Sequence, residues 1–162
     1  MLRPITPEDE AFERRSFDST VREMFELSGL PPDDVSSLIE FQFNAQRYSY
    51  RINFPNAEWS IILVDGEPAG RLIYDASGPV ECAIAIEVLP AFRRRGIAFS
   101  VMLPKLAAAE AVGHSIRLRV NKDNAPSILL AERLGFVIVD EEELDYHCHW
   151  SPPSLGVDPV SF

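Results

Sequence analysis

The stretch IEVLPAFRRRGIAFS, residues 86–100, decides the fold because it joins an apolar strand to a helix through a basic turn that contains a glycine. The N-terminus of a helix carries unpaired N–H groups and about half a positive charge, and glycine lets the backbone approach a ligand closely. The three consecutive arginines add bidentate donors for anionic oxygens. The stretch lacks the Lys-Ser/Thr of a P-loop and the three glycines of the dinucleotide fingerprint. It therefore predicts a phosphate site, and a solvated basic turn is the alternative.

The segments on either side predict an α/β (α+β) fold, a mixed central sheet with helices on both faces. Residues 80–90 are nearly all apolar, which is typical of a central strand covered on both sides. Upstream, Asp65 and Gly66 predict a hairpin turn. Downstream, Asn124 is expected to cap a helix that stops at Gly135. The predicted element order is β-α-α-β-β-β-α-β-α-β-β.

Composition limits the classes of function that fit this chain. Its 162 residues indicate one domain, residues 1–150, followed by a proline-rich tail, residues 151–162. The net charge of −10 argues against binding to nucleic acid or to an anionic membrane surface, and it mildly favours cationic substrates. Cys82 and Cys148 form no CxxC pair and are interpreted as reduced thiols. Without a long apolar run or a signal peptide, the protein is expected to be cytoplasmic.

Two motifs at the right spacing indicate a family. The sequence IEVLPAFRRRGIA is followed about thirty residues later by RVNKDNAPSILLAERLGF, residues 119–136. The chain resembles the GNAT superfamily of N-acetyltransferases, whose phosphate-binding motif reads Gln/Arg-x-x-Gly-x-Gly/Ala. Its second motif, Asn-x-x-Ala-x-x-x-Tyr-x-x-x-Gly-Phe, falls on Asn124, Ser127, Ala131, Gly135 and Phe136. The resemblance covers about residues 2–150.

The resemblance implies a binding site for acetyl-coenzyme A. The backbone amides of residues 94–98 would hold the pyrophosphate, and the side chains of Arg93 and Arg95 would assist by their charge. The end of the strand before the turn would offer backbone groups to the pantetheine arm, in a V-shaped opening between the two central strands. Asn124 would lie beside that arm while it also caps its helix. The residues implied to bind the coenzyme are Val88, Leu89, Arg93, Arg94, Arg95, Gly96, Ile97, Ala98 and Asn124.

The catalytic residues are where this sequence departs from the family pattern. The family tyrosine that commonly protonates the departing thiolate is replaced by Ala131, so either another group donates the proton or the thiolate leaves without help. On the central strand, Glu81 and Glu87 share one face by period-two alternation. Because related bacterial sequences carry a carboxylate nearby, Glu87 is predicted to be the catalytic base or a substrate anchor. The alternative is a structural ion pair, for instance with an arginine of the turn.

The second helix carries a polar stripe at helical spacing. Asp33 or Asp34 is expected to cap this helix. Gln42, Gln46 and Tyr50 follow at i, i+4 and i+8 and so share a face. In this superfamily the first two helices usually wall the acceptor site. The stripe is therefore a candidate acceptor surface, and a solvated helix face is the alternative.

The last strand and its neighbour carry further polar candidates. His147 and His149 alternate on one strand face, where two histidines without a further ligand cluster do not predict a metal site. One of them could line the acceptor site, and otherwise they are sheet residues. Arg119 stands where some relatives carry a glutamate base and cannot serve in that role. No metal cofactor is expected.

The predicted function is acetyl transfer from coenzyme A to a primary amine by direct attack in a ternary complex. Neither cysteine has an evident activating partner, so no covalent enzyme intermediate is expected. The acceptor is a small molecule or a protein amino group. One alternative is a non-catalytic module that binds or senses acyl-coenzyme A, and another is an interaction domain that binds no coenzyme. The last strands and the tail are candidates for homodimer contacts.

Overall fold

The computed structural model describes residues 1–153, so most of the proline-rich tail lies outside the described residues. The element order is the predicted one. It runs β1 (Leu2–Pro4), α1 (Glu10–Glu26), α2 (Pro32–Asn53), β2 (Glu58–Val64), β3 (Glu67–Asp75), β4 (Val80–Val88), α3 (Ile97–Val112), β5 (Ser115–Asn121), α4 (Ala125–Arg133), β6 (Val137–Glu141) and β7 (Asp145–Trp150). Short 3₁₀ turns precede α1 at Pro7–Asp9 and follow β4 at Pro90–Phe92.

The strands form a seven-stranded sheet in the order β1-β2-β3-β4-β5-β7-β6. The β1–β2, β5–β7 and β6–β7 pairs are antiparallel, whereas β4 pairs with β5 in parallel over Val80–Ala83 and Ser115–Leu118. This confirms the predicted α/β class with a mixed sheet. The V-shaped opening between β4 and β5 stays a prediction.

The chain divides into two compact units, and residues 1–73 with 85–97 form the first of them. The core between α1 and α2 in this unit follows helical spacing: Phe17 of α1 packs against Val35, Ile39 and Phe43 of α2. The rings of Phe17 and Phe43 lie 5.8 Å apart between centroids. These contacts pack α1 against α2.

The start of α2 differs from the prediction. The helix begins at Pro32 with Pro31 at the cap position, so Asp33 and Asp34 lie in its first turn and cap nothing. Pro32 suits the first helical position because its fixed φ is helical and its missing N–H has no intrahelical partner there. Acidic residues in the first turn are still favourable, because they complement the helix dipole.

Among the described residues, 74–84 and 98–153 form the second unit. Its core contains Ile116 of β5 and Met102 of α3, which are 0% and 2% exposed. The predicted cap is confirmed, since the Ser127 N–H donates to Asn124 Oδ1 at 3.2 Å. After α4, Gly135 adopts a φ of 88°, the left-handed conformation that ends many helices. Among the described residues, no helix is long and apolar enough to span a bilayer.

Candidate active site

The basic turn has the backbone shape of an anion site. Arg94 and Gly96 have φ angles of 62° and 72°, and α3 begins at the next residue, Ile97. Left-handed residues in such a turn can direct successive N–H groups into one concavity, and the first N–H groups of α3 have no partner within the helix. A non-glycine residue in this conformation costs about 1–3 kcal/mol, and such strain clusters at ligand sites. The turn and its arginines are exposed, so an anion could reach them.

The strand end before the turn is already hydrogen-bonded. The Val88 carbonyl accepts a hydrogen bond from Arg93 Nε at 2.9 Å, and the Leu89 N–H donates to the Ala69 carbonyl at 2.8 Å. The Leu89 N–H is thus taken up by the neighbouring strand. The Val88 oxygen keeps a second lone pair. Its predicted role toward a pantetheine arm stays a prediction, and binding there would put the arm and the Arg93 side chain at the same carbonyl.

Glu87 takes part in a partly buried ion pair with Arg71 of β3. Arg71 Nε donates to Glu87 Oε2 at 2.8 Å and Arg71 Nη2 donates to Oε1 at 2.7 Å, so the guanidinium grips both oxygens. The Ser16 hydroxyl of α1 lies 3.2 Å from the same Oε2. Sequence reasoning allowed for an ion pair of Glu87 with an arginine of the turn, but the partner is Arg71. The sequence feature that could have indicated this partner is the single arginine within the apolar run of β3, because a buried arginine requires a counter-charge.

Behind this pair lies a second carboxylate. Glu13 of α1 is 0% exposed, and its Oε1 lies 3.4 Å from Arg71 Nη1. Burial acts to lower the pKa of Arg71, but the charges of Glu87 and Glu13 outweigh burial and raise it above the ordinary value. Arg47 Nη2 lies 3.3 Å from Glu13 Oε2. Neither Glu13 Oε2 nor Arg47 Nε has a hydrogen-bond partner within residues 1–153.

The polar stripe of α2 divides between the interior and the solvent. Gln46 accepts a hydrogen bond from Arg71 Nη2 at 3.0 Å and so belongs to the cluster around Glu87. Tyr50 is half-buried and packs edge-on against Trp59, with ring centroids 6.4 Å apart. Gln42 is exposed. Two of the three predicted residues therefore face inward: the side-chain oxygen of Gln46 accepts from Arg71, and Tyr50 acts electrostatically on Arg71.

Glu81 has a different environment from Glu87, although the two share a strand face in the sequence. It is 5% exposed and lies in the second unit, where Tyr74 donates to Oε2 at 2.5 Å. His114 Nδ1 lies 2.9 Å from Oε1. Burial and the hydrogen bond to Glu81 raise the pKa of Tyr74 well above its ordinary range. This cluster is a satisfied buried network, so Glu81 has a structural role.

The thiols are unsuited to nucleophilic chemistry. Burial raises the pKa of Cys82, and Arg117 opposes this rise only in part. Burial likewise raises the pKa of Cys148. The reactive form of cysteine is the thiolate, which both environments disfavour. The prediction of direct transfer without a covalent enzyme intermediate is consistent with these environments.

The remaining candidates lie in ion pairs or in packed positions. Arg119 lies 3.5 Å from Glu142 and 3.3 Å from Asp145, and His147 Nε2 lies 3.1 Å from Glu142 Oε1. Within residues 1–153, no three His, Cys, Asp or Glu side chains come together in a group that could hold a metal ion. Ala131 is 4% exposed, and its carbonyl accepts a hydrogen bond from Phe136.

Comparison with known proteins agrees with this picture. The sequence profile of the acetyltransferase (GNAT) family matches residues 21–136. A PaiA N-acetyltransferase from Thermoplasma acidophilum, solved with coenzyme A, is similar with a TM-score of 0.69 at 14% identity, over 93% of this chain and 98% of that chain. Ard1 from Thermoplasma volcanium gives 0.62 at 17% identity, over 94% and 97% of the chains. An acetyltransferase from Thermus thermophilus gives 0.65 at 16% identity, over 93% and 96%. No curated protein sequence matches significantly.

Proposed function

We propose a specific reaction for this chain, which belongs to the acetyltransferase (GNAT) family: transfer of acetyl from acetyl-coenzyme A to a primary amine. The amine nitrogen attacks the thioester carbonyl, the carbon–sulfur bond breaks, and coenzyme A leaves as a thiolate. The new amide nitrogen then loses its extra proton. Both substrates are bound together, so the acetyl group passes directly from sulfur to nitrogen.

The basic turn is the observation that carries the proposal. Left-handed backbone at Arg94 and Gly96 opens directly into α3, which supplies unpaired N–H donors where the pyrophosphate is proposed to bind. Arg93 and Arg95 add positive charge at the same place in a chain whose net charge is −10. Similarity to a relative solved with coenzyme A supports this donor.

Glu87 is proposed to act on the acceptor amine. Its side chain is 13% exposed, whereas Arg71 and Glu13 behind it are 1% and 0% exposed, so of these three charged groups Glu87 is the one that reaches the surface. A carboxylate there can accept a hydrogen bond from an ammonium group or take its proton through water before attack. Ala131 offers no acid, but a thiol has a pKa of about 8.5 and leaves readily as a thiolate.

The donor site is tested by calorimetric titration with acetyl-coenzyme A. We expect saturable one-to-one binding, with at least about tenfold weaker affinity when Arg93 and Arg95 are both changed to Glu. The matched control changes Arg15 and Arg117 to Glu. These residues are exposed and lie outside the turn, and the change in net charge is the same. Equal loss of affinity in both double variants would remove the turn from coenzyme binding.

The transfer step is tested by release of free coenzyme A thiol in the presence of primary amines. The panel contains n-butylamine, a short diamine, a peptide with a free N-terminus and a peptide with an internal lysine. We expect turnover with at least one of them, and Glu87→Gln should lower it about tenfold or more. Because Ala131 replaces the family acid, the second candidate is a module that binds acyl-coenzyme A without turnover. Binding with no transfer to any amine would favour that candidate.

A further inference from the structure

We propose that Arg71 is a positioning residue for the acceptor amine, acting through Glu87. The guanidinium holds the carboxylate in one orientation so that a single acceptor position, on Oε1, is presented to the amine. This inference rests on the proposed amine transfer and adds a residue that neither family motif contains.

Counting lone pairs shows why one position remains. A carboxylate has about four acceptor positions. Arg71 Nε and the Ser16 hydroxyl use two on Oε2, and Arg71 Nη2 uses one on Oε1. The fourth position belongs to Oε1 of Glu87. With both oxygens held by the fork of Arg71, this position cannot turn away, which gives the bound amine a fixed direction.

Arg71 is itself held in place. Its Nη2 also donates to Gln46 Oε1 at 3.0 Å, and its Nη1 faces Glu13. The backbones of β3 and β4 meet tightly beside it, since a Cβ on Gly70 would lie 2.0 Å from the Glu87 carbonyl oxygen. Neither partner of the Arg71–Glu87 pair can therefore shift along the strands without disturbing the other.

Stability alone is a weak reason for this arrangement. A buried ion pair often contributes no more to stability than well-packed apolar residues of similar volume. Here the outer carboxylate is 13% exposed while its arginine is 1% exposed, so the pair ends at the surface rather than within the core. Arginine also has a geometric role that lysine cannot fill, because a lysine ammonium cannot grip both oxygens in one plane.

A double-mutant cycle tests the coupling. Wild type, Arg71→Lys, Glu87→Gln and the double variant are assayed for kcat and KM with the best amine of the panel, and for coenzyme A affinity by calorimetry. We expect Arg71→Lys to lower kcat/KM for the amine about tenfold in the Glu87 background. In the Glu87→Gln background the same change should have less than about a twofold effect, because the oriented carboxylate is already gone. Coenzyme A affinity should stay within about twofold throughout, since the basic turn is intact.

A second route avoids disturbing the buried charge. Ser16→Ala removes one hydrogen bond to Oε2 and should lower kcat/KM about two- to fivefold, mainly through KM. Ser19→Ala is the matched control. It lies one turn along α1, and its hydroxyl bonds to the Ser16 carbonyl rather than to Glu87. Circular dichroism and thermal unfolding establish whether each variant is folded. If Arg71→Lys does not fold, the comparison of Ser16→Ala with Ser19→Ala tests whether the orientation of Glu87 matters.

The outcomes separate this inference from the proposed function. The positioning role is overturned, while amine transfer stands, if Arg71→Lys lowers kcat/KM as much in the Glu87→Gln background as in the wild type. An equal effect of Ser16→Ala and Ser19→Ala on kcat/KM would overturn it as well. A wild-type protein that binds coenzyme A but acetylates no amine of the panel would overturn the proposed function and, with it, this inference.

Discussion

Replacing Gly70 with alanine should force β3 away from β4 beside the Arg71–Glu87 pair. An added Cβ would lie 2.0 Å from the Glu87 carbonyl oxygen and 3.1 Å from Val88 Cα. An ordinary contact of this kind is about 3.5 Å, so the strands would have to separate by more than an ångström. Both obstacles are backbone atoms of a strand, which cannot swing aside as the end of a side chain can.

The magnitude follows from this rigidity. Overpacking a core usually costs about 1–3 kcal/mol, and a clash with backbone belongs at the upper end of that range. For a chain of this size each kcal/mol lowers the melting midpoint by about 2–4 °C, so Gly70→Ala should melt about 6–12 °C below the wild type.

Thermal unfolding followed by circular dichroism measures the loss, with Gly78→Ala as the control. A Cβ on Gly78 would meet nothing within 4 Å. The same chemical change there should leave the midpoint unchanged or raise it slightly, since alanine restricts the unfolded chain. If Gly70→Ala and Gly78→Ala have the same melting midpoint, the close approach of β3 and β4 does not constrain the fold. The geometry of the Arg71–Glu87 pair is then not fixed by this approach.

Three further changes test other parts of the fold. Asp9 pairs with Arg3 at 2.7 Å, and this hydrogen bond holds the pKa of Asp9 well below its usual range. The ion pair therefore stabilises the folded state above the unfolded pKa of about 3.9, and this stabilisation is lost as the pH falls toward the folded pKa. Asp9→Asn should therefore cost about 1–3 kcal/mol at neutral pH in urea unfolding, with a difference that shrinks below about pH 4, and a penalty independent of pH would contradict the ion pair. Glu81→Gln should cost about 1–3 kcal/mol by the same assay, because an amide NH2 group replaces one of the two carboxylate oxygens that Tyr74 and His114 contact, and a neutral result would contradict the buried network with Tyr74. Asn124→Ala should lower stability by about 1 kcal/mol through loss of the cap, whereas Asn124→Ser should lower it by less. Equal losses for these two variants would show that capping is not the source.

Local patterns predicted the element order and the basic turn. Asp65 and Gly66 adopt φ angles of 52° and 83°, the hairpin geometry that their sequence indicates, and Asn124 caps α4 as expected. Each of these features depends on a few consecutive residues, so the sequence carries the full signal. The predicted cap of α2 was wrong for a local reason as well, because Pro31 and Pro32 place the start of the helix before Asp33 and Asp34.

The surroundings of Glu87 could not be predicted in the same way. Its partner Arg71 lies 16 residues earlier, and Ser16 lies 71 residues earlier. Which residues meet across β3 and β4 depends on strand register. A shift of one residue moves every side chain of a strand to the opposite face of the sheet. Period-two alternation predicts that Glu81 and Glu87 share one strand face, which stays a prediction. It could not tell that Tyr74 would hold one carboxylate and Arg71 the other.

In the proposed amine transfer, Ala131 stands where the resembled family carries its acid, and this gives weight to the role proposed for the Arg71–Glu87 pair. In the resembled mechanism an acid helps coenzyme A to leave, while a base or anchor prepares the amine. Alanine at position 131 cannot give the first kind of help, so either another group donates the proton or the thiolate leaves without help. The ammonium form of an amine cannot attack until it loses a proton, whatever the leaving group. The proposed reaction therefore needs a group on the acceptor side that takes this proton or anchors the amine, and a carboxylate held in one orientation at the edge of a buried charge cluster is a group of that kind.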